Sequence, residues 1–237
     1  MNIIQELKLL KLRMGVLKRE LLFQNKSRKE TFDYIYRTNA WGGGNTGYYS
    51  GIGSHDERLV EPYCEMIKNF ISQNNISTVV DIGCGDFNVA SKWLNKSISY
   101  SGIDIVQEMI DHHNDKYSTD NIHFYCLDVV EADLPDAELC LIREVLQHLT
   151  NEEVGIILNK VKKYKYIIIT EHVTKKEFAS KYNIDQAHGN FLRLHYKSGL
   201  YFDEAPFNLK IMTLLEIPHI SGKGVLTSVL ITSDKQN

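Results

Sequence analysis

The sequence predicts an α/β fold in which a parallel sheet lies between layers of helices, and three observations predict it. Apolar runs alternate with helical patterns, the first run breaks into a glycine loop, and three successive runs end in an acidic residue. A chain of 237 residues that is 43% hydrophobic has room for one large core. The five predicted strands lie near 77–82, 99–104, 122–127, 138–142 and 165–170.

The first strand ends in Asp81 and is followed by a loop that contains Gly83 and Gly85, then by a helical pattern over about 87–95. This order aims backbone N–H groups at a ligand above the strand, and the glycines remove side chains where a ligand would touch the backbone. Asn88 stands where a dinucleotide fingerprint has its third glycine, and an acid before the glycines suits a cationic ligand better than a pyrophosphate.

Two further acids follow the same pattern. Asp104 ends the second strand, 19 residues beyond Gly85, and Asp128 follows the third. A carboxylate in the position of Asp104 can accept both hydroxyls of a ribose, and ligands of open α/β sheets bind at this edge. Packing alone does not explain three acids in these places, so the sequence predicts a nucleoside-containing ligand.

The two ends of the chain complete the predicted fold. Two strands over 210–217 and 225–232 have no long helix between them, which predicts a final hairpin. Before the sheet we expect helices around 29–37 and from Ser54 or Asp56 to about 72. The stretch 42–53 between them has six glycines but also Tyr48 and Tyr49, next to Trp41. It is predicted to fold over a ligand, or else to be a surface loop pinned by Trp41.

The charge is unevenly distributed. The first 30 residues hold 8 Lys/Arg and 3 Glu, a net of +5, and the remainder is net −8, which argues against nucleic acid as the main substrate. The N-terminal segment has apolar residues at helical spacing, which predicts a helix that packs on its own domain or on a second subunit of a homodimer. Binding to a membrane surface is the alternative. The stripe consists of Ile3, Leu7, Leu10, Met14, Leu17 and Leu21.

The four cysteines are scattered without a C-x-x-C pair, which indicates reduced thiols in a cytoplasmic protein. No apolar run reaches the length of a transmembrane helix, and basic residues interrupt any signal-peptide core. The histidines lack the spacing of metal ligands, so no metal site is expected.

The run Asp81-Ile82-Gly83-Cys84-Gly85 resembles motif I, D/E-x-G-x-G, of class I S-adenosylmethionine (SAM) methyltransferases. The resemblance implies a Rossmann-like seven-stranded sheet with a C-terminal antiparallel hairpin and an N-terminal helical cap. It divides the chain into an extension with a cap loop (1–54) and a methyltransferase domain (55–237). It also implies SAM as cofactor, S-adenosylhomocysteine as product, and Asp128 as a partner of the adenine amino group. The implied cofactor site comprises Asp81, Gly83, Cys84, Gly85, Phe87, Asp104, Ile105, Asp128, Val129, Arg143, Trp41 and Ser54.

A longer series of motifs makes the resemblance narrower. The segments 36–41, 50–54, 84–88, 143–149 and 205–207 look like those of bacterial methyltransferases associated with surface-polysaccharide biosynthesis, over about residues 30–220. Ile52 stands where such relatives often have Pro, and Glu144-Val145 where they have Asp-Cys or Asp-Val. The resemblance implies O-methylation of a sugar or another small precursor.

A hydroxyl acceptor usually needs a general base or a metal. Glu144 and His148 are predicted to share one helical face after the fourth strand, and Glu171 and His172 follow the fifth. The expected catalytic residues are therefore His148, Glu144 and His172, although His148 suits a structural role equally well. A segment with His188, Asn190, Arg193 and His195 suits acceptor binding or a solvated loop.

Two other functions stay open. A nucleotide-sugar oxidoreductase or epimerase would need a Tyr-x-x-x-Lys pair, which is missing beyond mid-chain. A catalytically silent SAM-binding scaffold would keep the glycine loop without any base.

Overall fold

The computed structural model describes residues 21–43, 47–218 and 222–232, which form one seven-stranded sheet in the order β3-β2-β1-β4-β5-β7-β6. Strands β1 to β5 are parallel, and β7 runs antiparallel between β5 and β6. This confirms the predicted Rossmann-like sheet with its C-terminal antiparallel pair. The strands are β1 Thr78–Ile82, β2 Ser99–Asp104, β3 Ile122–Cys126, β4 Leu139–Arg143, β5 Tyr166–Thr174, β6 Met212–Pro218 and β7 Gly224–Thr232.

Helices cover both faces of the sheet because the central strands are apolar on both sides. In β1, Val80 and Ile82 belong to a core with Ile157 on one face, whereas Val79 belongs to a second core with Ile67 on the other. Burial on both faces is typical of parallel sheets in α/β proteins. The α-helices are α1 Arg28–Arg37, α2 Glu57–Asn74, α3 Asn88–Trp93, α4 Gln107–Tyr117 and α5 Asn151–Val161.

Short-range capping explains where the helices begin. Ser27 and Glu30 form a capping box at the start of α1, and Asp56 accepts a hydrogen bond from the backbone of Arg58 at the start of α2. Of the two caps expected for α2, Asp56 is the one that the structure has. Arg28, in the first turn of α1, contacts Asp128 after β3, so α1 lies next to the carboxyl edge of the sheet.

Two elements differ from the prediction. Strand β5 continues four residues beyond 170, because it pairs with β7 along its whole length, so Glu171 and His172 lie inside the strand. After β4, residues Leu146–His148 form a single 3-10 turn, and Glu144 has a left-handed backbone with φ 56°. Glu144 and His148 therefore do not share an α-helical face, and the prediction that they do is wrong.

The predicted N-terminal helix falls mostly on residues 1–20, which lie outside the described part of the chain. Of its apolar stripe only Leu21 is described, and that side chain is 61% exposed. No helix in the described ranges has the length and apolar character needed to cross a bilayer. Homodimerisation and the division at residue 54 stay predictions.

Candidate functional site

A cavity of about 260 Å³ lies at the carboxyl ends of β1, β2 and β4, under α1 and the glycine-rich loop that follows it. Eleven of the twelve residues expected to bind the cofactor line it, as do Glu144 and His148. The carboxyl edge of a doubly wound sheet is where ligands bind in this architecture. The lining residues that the prediction included are Asp81, Gly83, Cys84, Gly85, Asp104, Ile105, Asp128, Val129, Arg143, Trp41, Ser54, Glu144 and His148.

Phe87 and His172 do not line the cavity. Phe87 has φ 63°, is 5% exposed, and packs edge-on against Phe124 with ring centroids 5.0 Å apart, so its side chain fills the core beneath the loop. His172 Nε2 lies 3.5 Å from Oε2 of Glu144, which does line the cavity. Neither predicted residue therefore lines the cavity itself: Phe87 packs in the core, and His172 is buried within β5.

The backbone N–H groups of the glycine loop, residues 83–85, are hydrogen-bonded within the protein and are not available to a ligand. The N–H groups of Gly83 and Cys84 donate to Ile103 O at 2.7 and 2.9 Å, and that of Gly85 donates to Asp104 Oδ2 at 3.1 Å. The expectation that these N–H groups point at the ligand is wrong, because the loop folds against the end of β2. A loop whose donors are satisfied internally does not make a phosphate-binding nest.

The two loop glycines make room for neighbouring side chains. At Gly83, with φ 72°, an added Cβ would lie 2.2 Å from Val145 Cγ2. At Gly85, with φ 54°, it would lie 2.4 Å from Ser50 Oγ. Both positions therefore require glycine for the backbone conformation and for the close approach of the two segments that wall the cavity.

The cavity is acidic. Its lining holds five carboxylates, from Asp81, Asp86, Asp104, Asp128 and Glu144, against the guanidinium groups of Arg28 and Arg143. Burial raises the pKa of Asp81 to about 7, although a 2.8 Å hydrogen bond from Tyr100 opposes the shift. Burial also raises the pKa of Asp104 to about 6. Buried carboxylates with raised pKa values favour a ligand that brings positive charge or hydrogen-bond donors.

Arg28 is a lining residue that the sequence analysis missed. Its Nε donates to Asp128 Oδ2 at 2.9 Å, while Nη1 and Nη2 bind Glu153 and Glu131 at 2.9 and 2.8 Å. These contacts join α1 to the loop after β3 and to α5. The capping box at Ser27 fixes Arg28 in the first turn of α1, but only the folded chain shows which carboxylates it meets.

Asp86 holds Ser50, in the loop that follows α1, at the wall of the cavity. Its carboxylate accepts from the backbone N–H of Ser50 at 2.8 Å and lies 2.7 Å from His55 Nε2, and its own N–H donates to Ser50 Oγ. Ser50 also shares a 2.8 Å hydrogen bond with the Tyr36 hydroxyl, and the Tyr36 ring packs edge-on against Trp41. Trp41 thereby becomes a fixed wall of the cavity.

Arg143 and Glu144 form a charged pair at the end of β4. Arg143 Nη1 lies 3.0 Å from Glu144 Oε1, and Nη2 donates to Gly53 O at 2.8 Å. The first contact has the distance of an ion pair without the alignment of a hydrogen bond, so Glu144 Oε1 has no hydrogen-bond partner among the described residues. The guanidinium also lies over the Tyr63 ring, 5.0 Å from its centroid.

His148 is 8% exposed and lies between the cavity and the protein interior, with its ring 5.4 Å from that of Trp41. Its Nδ1 lies 3.2 Å from Phe191 O, and a carbonyl oxygen only accepts, so Nδ1 carries the proton and Nε2 carries the lone pair. Burial lowers the pKa of His148 to about 4. The imidazole is therefore neutral at physiological pH, with Gln147 Nε2 at 3.5 Å from its Nε2.

Glu171 supports the segment that follows β4 and does not line the cavity. Its Oε1 accepts from the N–H groups of Val145 and Leu146 at 3.2 and 2.8 Å. Burial raises the pKa of Glu171 to about 8. A carboxyl engaged in this way orients the residues after β4, so it is not placed to act on a ligand.

The segment after residue 188 has a mixed role. Arg193 is 1% exposed and donates to the carbonyls of Gln147 and Leu149, so it anchors the same turn, and His188 lies 3.1 Å from Glu153 Oε1. Asn190 lines the cavity, and its buried Oδ1 has no hydrogen-bond partner among the described residues.

Within the described ranges, no group of three His, Cys, Asp or Glu side chains is arranged to hold a metal ion. The independence of metals stays a prediction.

Comparison with known proteins adds a family match. A family model described as "Methyltransferase domain" matches residues 79–164, which span β1 to α5. No curated protein matches the sequence.

Solved structures match over most of the chain. A SAM-dependent methyltransferase from Leishmania major aligns with TM-score 0.57 and 16% identity, over 86% of this chain and 83% of its own. Magnesium protoporphyrin IX methyltransferase from Synechocystis, with bound SAM, aligns with TM-score 0.54 and 13% identity, over 87% and 98%. Human N-acetylserotonin methyltransferase in complex with SAM aligns with TM-score 0.55 and 13% identity, over 90% of this chain and 62% of its own. At these identities the likeness shows the fold.

Proposed function

We propose that the chain is a class I SAM-dependent methyltransferase, which the family match over residues 79–164 and the fold support, and that it methylates a hydroxyl of a sugar or of a sugar-containing small molecule. The observation that carries the choice of a hydroxyl is the neutral His148 at the cavity wall, with its Nδ1 proton committed to Phe191 O. A neutral imidazole has a lone pair on Nε2, contacted here by Gln147 Nε2 at 3.5 Å, that can accept the proton that a hydroxyl loses as it attacks.

The residues of the cavity fit the cofactor. SAM supplies a methyl group on a positively charged sulfur. Asp81 and Glu144 would provide negative charge for the sulfonium, and Asp104, at the end of β2, would accept from ribose hydroxyls. Asp128, oriented by Arg28, and the backbone of Val129 are assigned to the adenine. The internally bonded glycine loop supports this assignment over a pyrophosphate cofactor.

The acceptor is assigned to the part of the cavity lined by Trp41 and His148, whose rings lie 5.4 Å apart, and by Asn190 and Leu192. The indole offers an apolar face on which a sugar ring can pack, and Asn190 Oδ1 offers an unused hydrogen-bond acceptor to a neighbouring hydroxyl. His148 would take the proton from the attacking hydroxyl through Nε2, and Glu144 would stabilise the resulting positive charge. Orientation of the two reactants supplies much of the rate in such a displacement.

The proposal that the acceptor is a polysaccharide precursor rests on the resemblance to bacterial methyltransferases associated with surface-polysaccharide biosynthesis. The motifs that carry it include Trp41, Ser50 and Asp86, which are the residues that hold the cap loop over the cavity. We therefore include precursors of bacterial surface polysaccharides, free or nucleotide-linked, as the acceptor class to be screened first.

The test is an activity screen with SAM over free and nucleotide-linked sugars, in which S-adenosylhomocysteine formation and the mass gain of one methylene in the sugar are both measured. His148→Gln should lower kcat by about 10²–10⁴-fold at nearly unchanged cofactor affinity. His123→Gln is the matched control, because His123 is an exposed histidine on β3 away from the cavity. Methylation of nitrogen in preference to oxygen, or full activity of His148→Gln, would contradict the proposal.

A further inference from the structure

Tyr63 contributes to the wall of the cavity, although none of the motifs in the sequence contains it. It lies on α2, before the residues 79–164 that the family model matches. The residue is only 2% exposed, so a group that meets its side chain does so inside the protein. Neither the cofactor contacts assigned above nor the proposed proton transfer uses Tyr63.

The Tyr63 hydroxyl is open to a ligand. It has no hydrogen-bond partner among the described residues, and it is not one of the unpaired polar atoms that the protein closes off from a water-sized group, as Arg143 Nε is. A buried tyrosine hydroxyl usually has a partner, so this one indicates a position for a polar ligand atom. Burial raises the pKa of Tyr63, so the hydroxyl keeps its proton at physiological pH and can donate a hydrogen bond.

The groups around Tyr63 belong to the ends of β1 and β4. The Arg143 guanidinium lies over its ring, 5.0 Å from the centroid, and the nearby carboxylates of Asp81 and Glu144 add to the rise of its pKa. The sheet order is β3-β2-β1-β4, and the acids proposed for the adenine and the ribose lie at the ends of β3 and β2. The ends of β1 and β4 are therefore left for the amino-acid end of SAM.

The amino-acid end of SAM carries an ammonium group and a carboxylate. The ammonium needs hydrogen-bond acceptors, which Asp81 and Glu144 offer, whereas the carboxylate needs donors and positive charge. Two guanidinium groups line the cavity, and that of Arg28 already binds three carboxylates at the β3 side. Arg143 and the Tyr63 hydroxyl are the positive charge and the open donor at the β1–β4 side.

We propose that the Tyr63 hydroxyl donates a hydrogen bond to the carboxylate at the amino-acid end of SAM, next to the guanidinium of Arg143. This inference rests on the proposed function, and it adds a cofactor-binding residue from α2. A hydrogen bond to a charged group is stronger than one between neutral groups. Tyr63 therefore favours nucleosides that carry this carboxylate over nucleosides that lack it.

Three ligands test the proposal by calorimetric titration of the full-length protein: S-adenosylhomocysteine, its decarboxylated analogue and its deaminated analogue. Tyr63→Phe should weaken the two ligands that keep the carboxylate by about tenfold and the decarboxylated analogue by less than about twofold. The variant keeps the ring under Arg143 and loses no hydrogen bond within the described residues, so its melting temperature without ligand should be unchanged. Tyr125→Phe is the matched control, because Tyr125 is 41% exposed on β3 and does not line the cavity.

The pattern across the ligands decides the outcome. Equal weakening of all three by Tyr63→Phe would show an effect on the shape of the cavity and overturn the proposal, as would an unchanged affinity for S-adenosylhomocysteine. Weakening confined to the two ligands that keep the ammonium would place the hydroxyl at that group and also overturn it. If the wild-type protein bound none of the ligands, the proposed function would fail together with this inference.

Discussion

Gly83→Ala tests whether the glycine loop and the segment after β4 are packed as the structure shows. Gly83 has φ 72°, and an alanine in a left-handed conformation costs roughly 1–2 kcal/mol. The new Cβ would also lie 2.2 Å from Val145 Cγ2, and overpacking of this kind typically adds about 1–3 kcal/mol. We expect a loss of about 3 kcal/mol, which lowers the melting temperature by roughly 6–12 °C for a chain of this size.

A double-mutant cycle separates the two terms. Val145→Ala removes the methyl group that Gly83→Ala would strike, so its own cost of about 1 kcal/mol should fall or change sign in the Gly83→Ala background. The coupling energy should be at least ~1 kcal/mol by urea unfolding. Gly155→Ala is the matched control: Gly155 lies in α5 with nothing within 4 Å of an added Cβ, so alanine should stabilise by about 0.5–1 kcal/mol. Additive effects, or a Gly83→Ala variant as stable as wild type, would refute the packing.

The remaining predictions concern charge and chemistry. Arg28→Ala should lower the melting temperature and weaken S-adenosylhomocysteine binding several-fold by calorimetry, because three carboxylates lose a common partner; unchanged binding would contradict its place in the cofactor site. Burial raises the pKa of Asp81 from 3.8 to about 7, so the folded state binds more protons between those values and the stability falls as pH rises through that window. Asp81→Asn should therefore reduce the loss of unfolding free energy between pH 5 and pH 7.5, measured by urea unfolding. An unaltered pH dependence would argue against the raised pKa of Asp81. The alanine variants of His148, Glu144 and His172 should each be tested for kcat, cofactor affinity and melting temperature. Replacing a true general base should lower kcat without changing cofactor affinity, and near wild-type rates in all three variants would exclude a general base among these residues.

The parts of the fold that local sequence determines were predictable. Strand β1, its terminal Asp81 and the following glycines lie within a few residues of each other, and so do the capping residues of the helices. Parallel strands place their carboxyl ends at one edge of the sheet, so the three acids that end or follow β1, β2 and β3 were expected to meet there. Eleven predicted residues therefore line one cavity.

The contacts that were missed join residues far apart in the chain. Arg28 meets Asp128 one hundred positions later, and Glu171 meets Leu146 across the β4–β5 edge. No local pattern indicates such a partner, since an arginine at a helix start and an acid in a strand have many alternatives. The length of β5 was underestimated for the same reason, because its last residues are strand only through pairing with β7.

The central claim is that the acids at the strand ends bind SAM, and calorimetric titration with S-adenosylhomocysteine and with NAD tests it most directly. We predict saturable binding of S-adenosylhomocysteine and none of NAD. Asp104→Ala should weaken S-adenosylhomocysteine binding by about 1–3 kcal/mol, while Asp115→Ala, an exposed acid on α4, should leave it unchanged. Binding of NAD in preference to S-adenosylhomocysteine, or equal effects of the two variants, would contradict the account.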